Sequence, residues 1–84
     1  MEIIEAKERP STLIQELLDV WEKSVRATHL FLSDSEIKRI REYVPQALKG
    51  VANLVVAKNE NNAPIAFMGI ENGMLEMLFI TPEE

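Results

Sequence analysis

The last apolar run of the sequence, Met74 to Ile80 (MLEMLFI), contains a single ionisable side chain, Glu76. A carboxylate held among apolar neighbours becomes a better base, suited to taking a proton directly or through water. The competing reading is a carboxylate on a solvent-facing pleat that merely keeps the strand soluble. The second group able to do chemistry is the lone histidine, His29, with Thr28, Phe31 and Arg26 close by in the chain. A histidine titrates near neutrality and can shuttle a proton or contact a substrate. It serves equally well as a surface residue or a structural hydrogen-bond donor. Trp21 and the methionines Met68, Met74 and Met77 read as packing rather than ligands.

Other chemistries are excluded by what is missing. There is no cysteine, which removes disulfides, thiolate metal sites and a cysteine nucleophile. One histidine makes an imidazole metal centre untenable, and no metal is expected. The chain is acidic, with nine Lys and Arg against fourteen Asp and Glu for a net −5. It therefore lacks the basic excess that nucleic-acid binding draws on. The charge is also uneven. Residues 1–50 hold eight bases and nine acids, net −1, whereas residues 51–84 hold one base, Lys58, and five acids, net −4. The longest apolar runs, within 51–57 and 63–70, fall short of the roughly 20 residues of a membrane span. The N-terminus lacks the apolar stretch of a signal peptide. The expectation is a soluble cytoplasmic protein.

Eighty-four residues make one small domain. A strand is expected over 2–6. Pro10, Ser11 and Thr12 punctuate, and Leu13, Ile14, Leu17, Leu18, Trp21 and Val25 then recur at helical spacing, predicting a helix over 12–26. Ser33-Asp34-Ser35-Glu36 spells a capping box for a second helix over 34–44, with a further turn to 49. Pro45 should kink or end that helix, because it has no N–H to donate. Strands follow over 52–58, 64–71 and 74–80. The last two are joined by Asn72-Gly73, a type I′ turn signal. The predicted fold is α/β (α+β): β-α-α-β-β-β, an antiparallel meander with two helices. The final strand is apolar on both faces, the composition of a strand covered on both sides. Four residues later the sequence ends.

The order of these elements resembles the N-terminal half of a GNAT-type N-acetyltransferase. So do the strings WEKSVRATHLFLS (21–33), the break at Glu42-Tyr43-Val44-Pro45, the hairpin from Ala52 to Ile80 and MLEMLFITP (74–82). The resemblance implies acetyl-CoA as co-substrate and a small-molecule or peptide amine as acceptor, joined by direct attack in a ternary complex. By position it implies that backbone donors of Leu78, Phe79 and Ile80 hold the pantetheine arm and thioester carbonyl, much as an oxyanion site does. It assigns Glu76 as the base that deprotonates an ammonium acceptor, and Thr28, His29 and Phe31 as lining the acceptor pocket. In this family the fourth strand leads into a diphosphate-binding loop of the form R/Q-x-x-G-x-G/A at a helix N-terminus. No such loop occurs in residues 1–84. The chain is thus expected to be a truncated domain with little or no activity alone. The alternative is a small homodimeric interaction module that pairs through the open edge of strand 74–80.

Overall fold

The computed structural model describes residues 1–28 and 32–82. Strand β1 (Glu2–Glu5) leads to helix α1 (Ser11–Thr28). Two short helices follow, α2 (Asp34–Arg41) and α3 (Val44–Gly50), and then strands β2 (Asn53–Lys58), β3 (Pro64–Glu71) and β4 (Met74–Ile80). The strands form one antiparallel sheet in the order β1-β2-β3-β4. Among the described residues no helix is long and apolar enough to cross a membrane.

Helix α1 forms because its apolar side chains fall on one stripe. Ile14, Leu17, Leu18, Val20, Trp21 and Val25 are all buried. It outruns the expected 12–26 at both ends. At its start the Ile14 N–H donates to the Pro10 carbonyl, and at its end the Thr28 hydroxyl donates back to Ser24 O.

The second expected helix, 34–44 with a turn to 49, resolves into two. The capping box is in place: Ser33 Oγ accepts from the Glu36 N–H at 3.2 Å, and the Glu36 carboxylate accepts from the Ser33 N–H at 3.0 Å. Helix α2 ends at Arg41, and the Tyr43 N–H turns back to Ile40 O. Pro45 then sits in the first turn of α3, where no N–H is needed. The proline thus opens a helix rather than kinking one.

Arg9 ties the β1–α1 connection to the end of α3. Its Nε donates to Ala6 O, Nη1 lies 2.9, 3.1 and 2.6 Å from the carbonyls of Leu48, Lys49 and Val51, and Nη2 reaches Ala52 O. One guanidinium thereby satisfies carbonyls that a helix terminus leaves without partners.

The helices cover one face of the sheet. On that face Ile4, Val56, Phe67 and Phe79 form a row straight across the four strands. Beneath α1 and α3 this row joins Leu17, Leu48 and Leu54 in the core, all three with no accessible surface. The Phe67 and Phe79 rings meet at 5.5 Å between centroids.

Among the described residues no helix lies on the opposite face. Its first row is Ile3–Ala57–Ala66–Ile80, its second Glu5–Val55–Met68–Leu78, and its third Asn53–Ile70–Leu75. Nine of these eleven side chains are apolar. The two polar ones, Glu5 and Asn53, hydrogen-bond to each other at 3.0 Å. Strand β4, whose composition suits an interior strand, lies at the edge of the sheet, with Leu78 51% and Ile80 48% exposed.

Candidate active site

The two ends of β4 are fixed by different devices, and they disagree by one residue. At one end Asn72 and Gly73, with φ of 53° and 77°, make the two-residue turn that sets Glu71 against Met74. At the other end the Thr81 N–H donates to Ile65 O at 2.9 Å, in the register that pairs Ala66 with Ile80 and Gly69 with Met77. The mismatch is absorbed between Met77 and Leu75, which pairs with Ile70. Glu76 is therefore the extra residue of a β-bulge. The bulge also reverses the pleat, so that Leu75 joins Leu78 and Ile80 on the open face.

Gly69 faces Met77 across the bulge and accommodates it. A Cβ on Gly69 would lie 2.9 Å from Met77 Cγ and 3.0 Å from Val51 Cγ2. The Met77 side chain occupies the space that any other residue would need.

The same register sorts the backbone groups of β4. In an antiparallel ladder, alternate residues point their N–H and C=O toward the neighbouring strand. Because Thr81 bonds to Ile65, Phe79 and Met77 turn toward β3, while Leu78 and Ile80 turn toward the outer edge. No strand among the described residues pairs with that edge. Of the three residues the resemblance offers as backbone donors, Leu78 and Ile80 present free amides, and the Phe79 amide is engaged with Phe67.

Glu76 is exposed, as the solvent-facing alternative has it and not as burial among apolar neighbours would. The bulge lifts it out of the ladder, and among the described residues nothing covers the face beside it. Thr28 is the last residue of α1, and its hydroxyl bonds to Ser24 O. His29 and Phe31 lie outside the described residues.

A charge cluster fastens α1 to α2 on either side of the 28–32 connection. Arg26 Nε meets Glu22 at 2.9 Å and its Nη1 meets Asp34 at 2.6 Å, while Arg41 bridges Glu22 at 2.5 Å and Asp19 at 3.4 Å. The Arg26 guanidinium holds the Glu22 carboxyl below the usual carboxylate range; desolvation works against it, and Arg41 reinforces it. Arg26 also lowers Asp34, and the Ser33 backbone N–H lowers Glu36.

A shallow depression of about 180 Å³ lies between the middle of α1 and the end of β4, lined by Glu16, Asp19, Lys23, Pro64 and the buried Thr81 among others. Glu16, Asp19 and Lys23 are polar positions of α1, set between its apolar residues. Their spacing, with Asp19 three and Lys23 seven residues after Glu16, puts them on one face. That signal does not say which strand end they meet.

Four antiparallel strands in sequential order, with helices between the first two, match the first half of an acyl-CoA N-acyltransferase-like fold. The relationship is visible in particular proteins. Over 69 residues the chain is 38% identical to the peptidyl-lysine N-acetyltransferase YjaB of Escherichia coli (strain K12), covering 82% of this chain and 46% of that protein. The Salmonella typhimurium protein of the same name is 35% identical over 69 residues, 47% of its length being covered. The solution structure of apo-form YjaB from Escherichia coli matches with a TM-score of 0.78 and 34% identity, over 99% of this chain and 55% of that one. No family model matches the chain. The chain spans about half the length of the curated relatives it matches. It is related in sequence and in fold to the GNAT-type N-acetyltransferases, over the N-terminal half of their domain.

Proposed function

We propose that this chain is the N-terminal half of an acetyltransferase that moves an acetyl group from acetyl-CoA to an amine, the lysine ε-amine of a peptide being the acceptor class. The observation that carries this reading is the 38% identity to a peptidyl-lysine N-acetyltransferase along most of the chain. Geometry supports it at β4. A thioester arm needs backbone donors on an edge that no neighbouring strand occupies, and Leu78 and Ile80 offer them. Bound acetyl-CoA supplies an activated acyl group whose carbonyl carbon accepts the amine lone pair, with the thiolate leaving. The Leu78 and Ile80 amides hold the arm of the co-substrate and polarise that carbonyl. Glu76, exposed beside this edge, accepts the proton of the incoming ammonium through water. Thr28, His29 and Phe31 contribute to the acceptor side.

The fit is partial. Residues 1–84 contain no glycine-rich run for the diphosphate, and the second half of the chain is net −4. We therefore expect the 84 residues alone to release no thiol from acetyl-CoA in the presence of a lysine peptide. Saturable turnover by the purified chain would refute that expectation. The transfer reading itself is tested by exchange: these residues replace the matched segment of the Escherichia coli relative, and acetylation of a lysine peptide is followed. A folded chimaera that binds acetyl-CoA yet acetylates nothing would sink it. In an active chimaera, Glu76→Gln should lower kcat about 10²-fold or more and flatten the acid limb of its pH profile. The homodimeric alternative rests on the same free edge of β4, and predicts a dimer that persists on dilution in sedimentation.

A further inference from the structure

We propose that Asn72 is a self-modification site, at which the Gly73 backbone nitrogen displaces the side-chain amide and leaves an aspartyl or isoaspartyl turn. The sequence holds five asparagines: Asn53, Asn59, Asn61, Asn62 and Asn72. Such a displacement asks three things of its asparagine. The side-chain amide must be uncommitted, the next backbone N–H must be free of hydrogen bonds, and the next residue must be small. Asn53 donates to Glu5 at 3.0 Å and precedes the buried Leu54. The Asn59 side-chain oxygen accepts from the N–H groups of Asn61 and Ala63 at 2.9 and 3.1 Å. The nitrogen that would attack Asn61 is that of Asn62, which donates to Asn59 O at 3.0 Å. The nitrogen that would attack Asn62 is that of Ala63, already held by Asn59. Asn72 differs on every count. It is exposed at the hairpin tip, and among the described residues neither its amide nor the Gly73 N–H has a hydrogen-bond partner. Gly73 brings no side chain, and a Cβ built on it would meet nothing within 4 Å, so the approach is open.

The Gly73 nitrogen attacks Asn72 Cγ and closes a five-membered imide. The N–Cγ bond forms, the Cγ–Nδ2 bond breaks, and the proton of the nitrogen leaves with the amide as ammonia. Water, the one co-reactant, then opens the ring. Breaking N–Cγ gives aspartate; breaking the bond from nitrogen to the main-chain carbonyl gives isoaspartate. Either product adds a carboxylate and takes the net charge from −5 to −6. Their effects on β4 differ. Asp-Gly suits a type I′ turn as Asn-Gly does, so aspartate keeps Glu71 opposite Met74. Isoaspartate inserts a methylene into the main chain of a two-residue turn already at φ 53° and 77°, and that turn no longer closes. The turn imposes only the near register, Glu71 with Met74 and Ile70 with Leu75. The far register is held by the Thr81 N–H on Ile65 O. The isoaspartyl chain therefore loses the near pairs and keeps the far ones, with the bulge at Glu76 as the boundary. Acetyl transfer plays no part in this inference.

The test ages the purified 84-residue chain at 37 °C for four weeks, at pH 9 and at pH 6, and follows intact mass, released ammonia and peptide maps. Conversion of amide to acid adds about 1 Da. At pH 9 Asn72 should convert at least tenfold faster than any other asparagine, with one equivalent of ammonia released and both isomers formed. At pH 6 the same conversion should be at least tenfold slower, because the attacking nitrogen must lose its proton. Fragmentation separates the isomers, and amide chemical shifts are recorded on each. The isoaspartyl chain should shift Met74 and Leu75 and leave Met77 to Ile80 in place. The variant Asn72→Asp carries the charge without the extra methylene and should keep the Met74 and Leu75 shifts of the parent. An unchanged mass after four weeks at pH 9, or first conversion at Asn59, Asn61 or Asn62, would overturn the proposal. So would an isoaspartyl chain whose Met74 and Leu75 amides stay put, or an Asn72→Asp variant that loses them equally.

Discussion

The two faces of the sheet carry rows of equal width, one residue apart along each strand. Ile4–Val56–Phe67–Phe79 lies under the helices, and Ile3–Ala57–Ala66–Ile80 lies uncovered. Both are apolar, so composition does not distinguish them. Size does: the covered row is built of large side chains that fill the space beneath α1, and the uncovered row has a hollow middle. The row under the helices is filled to interior density, whereas the uncovered row keeps its relief.

The sharpest way to break this comparison is to truncate one residue from each row. Phe67 is 2% exposed, and Phe67→Ala should cost about 3–5 kcal/mol, much of the stability of so small a domain. Ile80→Thr on the other row should change urea unfolding by no more than about 0.5 kcal/mol. Comparable losses at the two positions would mean that the open face is packed in solution.

The cover itself depends on loop anchors. Arg9→Ala removes charged donors from carbonyls at the end of α3 and should cost about 1.5–3 kcal/mol, with hydrogen-exchange protection falling first in α3. An unchanged exchange pattern there would show that water replaces the guanidinium without loss. Within the sheet, Gly69→Ala presses on Met77 and Val51 and should cost about 1–3 kcal/mol by displacing the bulge. Its mark is a shift of the Glu76 and Met77 amides, whereas a neutral substitution would show the bulge to be soft.

The smallest effect is in acid. Glu22, Asp34 and Glu36 titrate below the usual carboxylate range in the folded chain, so the fold binds fewer protons than the unfolded state. Their contribution is complete above about pH 5 and is lost as pH falls through their lowered values. Acid should therefore loosen the α1–α2 pair before the sheet. Arg26→Gln should blunt that pH dependence, measured by helix circular dichroism between pH 6 and 2.

Much of the architecture was legible locally. The capping box at Ser33 and Glu36, the Asn72-Gly73 turn and the α1 stripe are each decided within a few residues, by hydrogen bonds and periodicities that need no distant partner. The split between α2 and α3 was half visible, since Pro45 announced a break without saying that a new helix begins there. For the candidate site, the importance of β4 could be read from its composition, but its geometry could not. The string MLEMLFI leaves open whether Glu76 is buried or solvent-facing, and the fold exposes it.

By itself, then, the sequence determined most of the helix and strand segments, where the turns lie, and that β4 is apolar on either side of Glu76. The tertiary structure decided the bulge at Glu76, the outward amides of Leu78 and Ile80, and which of two apolar rows is covered. The reason is physical. A bulge arises from the conflict between two registers set at opposite ends of a hairpin, and burial depends on what lies above a residue rather than beside it in the chain.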